Sequence, residues 1–115
     1  MDGAQAVVMG EKVYMGGGAA DEIEDIFRVF QYNTTRDEWS RLPPHTVYFF
    51  AMAQFTGELI TVGGVIAASG ATGKVYHFKE ESQKWVELFK PMPTARYDLS
   101  VATTQTTIIA SGGGY

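Results

Sequence analysis

Short stretches in which apolar and polar residues alternate, or in which β-branched residues cluster, recur along the whole chain. They are separated by clusters of Gly, Asn, Asp, Ser and Glu that favour turns. No stretch sustains the helical spacing of about 3.6 residues between apolar positions, so no helix is predicted. The pattern predicts strands at residues 5–9, 12–15, 26–32, 38–42, 50–55, 59–62, 74–79, 84–88, 99–104 and 107–111.

Two further markers repeat along the chain at nearly the same interval. Gly pairs follow apolar strands at intervals of 47 and 49 residues, and they are Gly16-Gly17, Gly63-Gly64 and Gly112-Gly113. Aromatic pairs with a spacing of seven residues recur 46 residues apart, and they are Tyr32 with Trp39 and Phe78 with Trp85. A period of about 40 to 50 residues is typical of arrays of supersecondary units that bury their apolar faces by stacking.

The residue types at these positions have a physical use in stacked sheets. A Gly pair at the end of a strand lets neighbouring backbone approach closely, because there is no Cβ to exclude it. Large aromatic rings fill the space between sheets that pack about 10 Å apart. We therefore expect Trp39 and Trp85, with Tyr32 and Phe78, to lie in the core between neighbouring units.

The order of these markers, Gly-Gly after an apolar strand and then an aromatic residue, six residues and Trp, resembles the kelch repeat of β-propellers. Residues 32–39 and 91–97 also read like kelch segments. Val47 departs from the pattern, since the other linker carries Arg96 at this place, and Phe78 replaces the usual Tyr. The resemblance covers essentially the whole chain. It implies an all-β, kelch-type propeller segment of four-stranded antiparallel blades, with blades at residues 1–46 and 47–95 and the first two strands of a third at 96–115.

A ring needs more blades than this chain supplies. Propellers close with roughly four to eight blades, so the segment is expected to form an incomplete ring. An end that leaves about 500 Å² of apolar surface bare forgoes on the order of 10 kcal/mol of stabilisation. The chain is then a piece of a longer propeller, a unit that assembles with its own copies, or an open array. We favour the first, because the sequence stops at Gly114-Tyr115, inside a loop that should lead to another strand.

Composition narrows the classes of partner. The 115 residues carry a net charge of −4, and Lys and Arg are not clustered, which disfavours binding to nucleic acid or to an anionic membrane. The longest apolar stretch, 59–71, is broken by Gly and is too short to cross a bilayer. No signal peptide is recognisable, and the absence of Cys is compatible with the cytosol, so a cytoplasmic location is predicted.

The sequence offers no recognisable catalytic set. Its two histidines, His45 and His77, occupy different strand positions and share no spacing with an acid. Some kelch propellers are copper oxidases that need a Cys joined to a Tyr, and this chain has no Cys. The acidic residues at 21–25 lack the ligand spacing of a calcium loop, and residues 69–74 lack the first Gly and the Ser or Thr of a phosphate-binding loop. We predict a protein that is not an enzyme and holds no cofactor or metal.

Binding is the better prediction, and the resemblance indicates where it occurs. In kelch propellers that act as substrate receptors, contacts come from the linkers before the inner strands and from the loops between second and third strands. In this chain these positions are Tyr48, Phe49, Tyr97 and Asp98 in linkers, and Asp21, Glu22, Ser69 and Thr72 in loops. Exposed aromatic residues can anchor a partner. The alternative for Phe49 is that it packs beneath its own linker.

The predicted function is therefore recognition of a protein partner by a non-catalytic scaffold. Family members often deliver bound proteins to a ubiquitin ligase through separate adaptor domains, which nothing in this chain resembles. Two alternatives stay open. The chain could belong to a kelch-type enzyme whose active site lies in other blades, or to a structural array that self-associates through its open blade faces.

Overall fold

The computed structural model describes residues 5–16, 28–43, 45, 47–66, 70–88, 91–92, 94–95 and 99–112. All regular elements in these ranges are β-strands. They are β1 (Gln5–Met9), β2 (Lys12–Gly16), β3 (Val29–Asn33), β4 (Glu38–Arg41), β5 (Val47–Tyr48), β6 (Ala51–Phe55), β7 (Glu58–Val62), β8 (Val65–Ile66), β9 (Gly70–Ala71), β10 (Val75–Lys79), β11 (Lys84–Glu87), β12 (Ser100–Thr103) and β13 (Ile108–Ser111).

The strands form four sheets, all antiparallel: two of four strands, one of two and one of three. The first sheet has the order β1-β2-β3-β4, and the second has the order β6-β7-β10-β11. The third consists of the hairpin β12-β13. The described sheets do not close into a ring, so the predicted all-β architecture of an incomplete propeller is confirmed. The predicted strand that begins at residue 26 is described only from Val29 onward.

One region differs from the prediction. The stretch 63–73, expected to be a loop without strands, contains β8 and β9. Together with β5 from the preceding linker they form a small three-stranded sheet of order β5-β8-β9. Each of these strands has only two residues, and so short a strand leaves no alternating pattern for a sequence to reveal.

The second sheet is buried on both faces, because strand side chains alternate between the two sides of a sheet. Towards the first sheet it presents Met52, Leu59 and Phe78, which share a core with Tyr14 and with residues of the linker. Towards the third sheet it presents a second set of buried residues. These are Ala51, Ile60, Val62 and Val75, packed with Leu99, Val101, Ile108 and Ala110.

Polar contacts tie the innermost strands to one another. The side-chain carbonyl of Gln5 on β1 accepts from the Met52 backbone N–H of β6, at 3.2 Å between O and N. Its amide nitrogen donates to the Leu99 carbonyl just before β12, at 2.8 Å. The Thr103 hydroxyl of β12 donates to the Gln54 carbonyl of β6, at 2.6 Å. The Gln5 side chain thus connects the first sheet to the second and to the residue that precedes the third.

The two tryptophans occupy equivalent repeat positions but different environments. Trp85 lies against Phe78, and its indole N–H donates to the Pro43 carbonyl at 3.0 Å between N and O. Trp39 contacts the Tyr32 ring and is 61% exposed. The expectation of inter-blade core is therefore correct for Trp85 and wrong for Trp39 in this structure. Trp39 lies on the face of the first sheet that points away from the second, together with Val8, which is 69% exposed.

His45 fastens the linker to the face of the second sheet. Its ring stacks on Trp85, with centroids 4.5 Å apart, and meets Tyr76 edge-on at 4.7 Å. Nδ1 accepts the Val47 backbone N–H at 3.3 Å, so Nε2 carries the proton and donates to the Thr61 hydroxyl at 2.8 Å. Burial lowers the pKa of His45 to about 3, which keeps the ring neutral.

The two tryptophans provide a matched pair for testing the core. Trp85→Ala is expected to lower the free energy of unfolding by roughly 3 to 5 kcal/mol, because it removes a large ring from between two sheets. Trp39→Ala should cost less than about 1 kcal/mol in the same chain, because that ring is largely in solvent. Urea denaturation of both variants measures the difference. A loss below about 1 kcal/mol for a folded Trp85→Ala sample would contradict the core assignment.

His45 should make stability depend on pH. Its pKa is about 3 in the folded chain and about 6.5 when unfolded, so the unfolded state binds the extra proton between these values. The contribution of His45 is fully present above about pH 6.5 and decreases as the pH falls towards 3. We expect a loss on the order of 2 kcal/mol between about pH 7.5 and pH 5.

His45→Phe keeps a ring on Trp85 but cannot titrate, so its free energy of unfolding should vary less over this pH range. Urea denaturation at both pH values measures the two slopes. Equal slopes for the two proteins would show that His45 does not titrate as its burial implies.

Candidate functional site

The small sheet brings together two segments that the sequence analysis singled out. Val47 and Tyr48 of β5 belong to the linker before β6, and they pair with Ile66 and Val65 of β8. In turn β8 pairs with β9, within the connection between β7 and β10. We call the surface formed by Tyr48, Phe49, β8 and β9 the linker–loop surface. It lies at the end of the second sheet opposite the turns at 56–57 and 80–83.

Close approach of the backbone at Gly64 makes this pairing feasible. Gly64 has a φ of 111°, and a Cβ added there would lie 2.5 Å from Val47 Cγ1 and 2.6 Å from the Tyr48 carbonyl oxygen. Two backbone hydrogen bonds close the base of the loop. The Gly63 N–H donates to the Lys74 carbonyl at 3.0 Å, and the Thr72 N–H donates to the Gly64 carbonyl at 2.9 Å. The close approach expected of this Gly pair is present.

The second linker holds the same loop from its other side. Met92 N–H donates to the Gly73 carbonyl at 2.7 Å between N and O. A Cβ on Gly73 would lie 2.8 Å from the Met92 carbonyl oxygen, so this contact also depends on glycine. The loop of the second sheet is therefore fixed between the linkers that precede and follow that sheet.

Tyr48 and Phe49 are the exposed part of this arrangement. Both are half-buried, and their rings meet edge to face, with centroids 5.0 Å apart and planes at 69°. Phe49 has a φ of 55°, a left-handed conformation that bulky residues rarely adopt. Phe50, the next residue, is almost fully buried. The linker thus buries Phe50 in the core and leaves Phe49 partly in solvent.

Thr72 has a different environment from the one expected of a contact residue. It is 8% exposed, and its hydroxyl accepts from the Lys74 backbone N–H at 3.2 Å between O and N. Thr72 therefore supports the base of the loop and presents little surface of its own. The other predicted contact residues lie outside the described residues, and they are Asp21, Glu22, Ser69, Tyr97 and Asp98. The same is true of Gly17 and Gly113 in the repeat pattern.

A charged cluster on the second sheet went unrecognised in the sequence. His77 Nδ1 lies 3.0 Å from Glu58 Oε1, and the Lys79 ammonium donates to Glu58 Oε2 at 3.0 Å. Lys79 and His77 hold the pKa of Glu58 below its usual range. His77 pairs with Ile60, which lies two residues after Glu58 on β7. Glu58 and His77 are therefore diagonal neighbours on adjacent strands, although they are 19 residues apart in sequence. The sequence reveals such a contact only when the register between the two strands is known.

Within the ranges that the structure describes, no group of three or more His, Asp or Glu side chains is placed to hold a metal ion. His45 is committed to Thr61 and Val47, and His77 is bound to Glu58. The hydroxyl beside His45, that of Thr61, is fully buried and out of reach of a substrate. The described residues also contain no helix of the length and hydrophobicity needed to cross a bilayer.

Three known proteins that are similar to this chain are all described as kelch-like proteins. No protein-family model matches the chain. This chain is 29% identical over 119 aligned residues to Kelch-like protein terF of Aspergillus terreus. The alignment covers 96% of this chain and 26% of that protein. The chain is 30% identical over 103 residues to Kelch-like protein 40 of Xenopus tropicalis and to that of Xenopus laevis, covering 88% of this chain and 16% of each relative.

The chain thus spans about a quarter of the fungal relative and about a sixth of the Xenopus relatives. The likeness extends over nearly all of this chain, and it coincides with the repeat spacing and with the four-stranded antiparallel sheets. These sheets are blades of a partial propeller, and the chain belongs to the kelch-repeat family.

Proposed function

We propose that this kelch segment recognises a protein partner through the linker–loop surface, without catalysis. Kelch propellers commonly bind proteins, which supports the class of partner. The surface joins linker and loop into one structure, which supports the location. Cysteine is absent from the 115 residues, in keeping with action in the cytosol.

The backbone of Phe49 is the observation that carries the proposal. A φ of 55° costs a bulky L-residue on the order of 1 kcal/mol or more, whereas glycine adopts it freely. The Phe49 ring keeps part of its surface in solvent, where a partner can contact it. A partly exposed aromatic ring on a backbone of defined, uncommon conformation is suited to be the anchor of an interface.

The support beneath the ring favours tight recognition. Backbone pairing with β8 fixes the linker at Val47 and Tyr48, and Gly64 packs directly against both residues. A surface ordered before binding loses less conformational entropy when a partner arrives. Tyr48 adds a second aromatic ring beside Phe49. The five predicted contact residues outside the described ranges belong, by the repeat register, to this loop or to the equivalent linkers and loops of the neighbouring repeats, and we include them in the proposed interface.

The histidine environments support the non-catalytic part of the proposal. His45 is buried and neutral between two hydrogen-bond partners, and His77 contacts a carboxylate that Lys79 also binds. A general base needs access to the proton it removes from a substrate. His45 has no such access, since it is 3% exposed.

Phe49→Gly is the sharpest test, because it removes the ring and relieves the positive φ together. Peptides selected on the wild-type chain from a displayed random library should lose about tenfold or more in affinity for this variant. The variant should remain folded, because relief of the positive φ offsets part of the packing that is lost with the ring. Affinity is measured by biolayer interferometry and stability by a thermal melt.

Asp37→Gly is the matched control, since Asp37 also has a positive φ, of 54°, but lies in a turn of the first blade. Its peptide affinities should equal those of the wild type. Selected peptides that bind Phe49→Gly and Tyr48→Ala as tightly as the wild type would refute the proposed surface.

A further inference from the structure

We infer a second binding site, a cleft between the first two blades that accepts an arginine side chain of a protein partner. The cleft opens at the end of the blades that carries the turns, opposite the linker–loop surface. Its floor consists of Met9 and Tyr14 of the first blade and Leu59 and Phe78 of the second. Glutamates of the second blade stand at its rim.

The size of the cleft limits what it can hold. Its volume is about 110 Å³, whereas sites for small-molecule ligands and cofactors measure about 300 to 1,000 Å³. A single side chain projecting from a partner therefore fits the cleft better than a cofactor does.

The floor favours a side chain with an apolar stem. Tyr14, Leu59 and Phe78 are buried, so they form a fixed apolar base. The Tyr14 hydroxyl accepts from the Gln31 amide at 3.2 Å, which holds the ring in place. The methylene groups of a long side chain can lie on such a base while its charged end reaches the rim.

The charges at the rim select a cation. Glu58 is already bound by Lys79 and His77, and Glu80 pairs with Lys12 across the two blades at 3.2 Å. Glu81 also lines the cleft, and among the described residues no hydrogen bond or ion pair to its side chain is found. Its carboxylate is therefore available to an incoming positive group.

Arginine suits this combination better than lysine. Its planar guanidinium carries several N–H donors in a fixed fork and can donate to two carboxylates at once, whereas an ammonium is a point charge. Glu80 and Glu81 are adjacent in one turn. The Lys12–Glu80 pair is solvent-exposed, and such pairs are weak enough for a second cation to share the carboxylate.

A titration followed by NMR tests the cleft directly. The isotope-labelled chain is titrated with the peptide acetyl-Gly-Gly-Arg-Gly-Gly-amide, and with the same peptide containing citrulline, the uncharged isostere of arginine. We expect saturable shift changes at the Met9 methyl group and at the Gly57 and Glu81 amides with the arginine peptide. The citrulline peptide should produce none.

Two variants locate the interaction. Glu81→Gln should weaken binding of the arginine peptide about three- to fivefold, the loss expected for one exposed ion pair. Glu87→Gln removes the same charge from β11, where Glu87 pairs with Lys74, outside the cleft. It should bind like the wild type. Both glutamates are exposed, so neither change should unfold the chain.

Equal shifts with the arginine and citrulline peptides would overturn the inference, as would shifts scattered over the whole surface. An affinity unchanged by Glu81→Gln would also overturn it. The linker–loop surface is unaffected by any of these outcomes, since Tyr48 and Phe49 lie at the opposite end of the blade.

Discussion

Packing of one four-stranded sheet on the next is the constraint on which the rest of the structure depends. The second blade has apolar side chains on both faces, so it needs a neighbour on each side. The first blade and the β12-β13 hairpin supply these neighbours. The same repeat position is therefore core at Trp85, which has a blade in front of it, and largely solvent-exposed at Trp39. Burial in this chain follows from neighbours as well as from residue type.

Much of the fold was predictable, because alternating apolar and polar residues indicate strands and a regular spacing of markers indicates repeats. The 46-residue offset between Trp39 and Trp85 identified the blades. What the sequence could not reveal depends on contacts between distant segments. The two-residue strands β8 and β9 exist only through the pairing of β8 with β5 and of β9 with β8. The burial of His45 depends on Trp85, whose ring lies 4.5 Å away.

The features of the candidate sites also fall into those that the sequence could indicate and those that depend on the folded structure. Tyr48 and Phe49 could be proposed from the resemblance, because linker positions are fixed by the repeat register. The positive φ of Phe49 could not be foreseen, since no glycine or asparagine marks it. Thr72 was placed in the correct loop, but its burial depends on how the loop folds back onto Gly64. The cleft beneath the turns arises from two blades together, so no single segment indicates it.

Contacts between blades and the linker–loop surface form one continuous structure. The Trp85 ring stacks on His45, whose Nδ1 accepts the Val47 N–H. Val47 in turn pairs with Ile66 and sets the position of Tyr48 and Phe49. A chain of packed rings and hydrogen bonds thus runs from the inter-blade core to the proposed anchor. The contacts that hold the linker on the second blade therefore also position the proposed anchor.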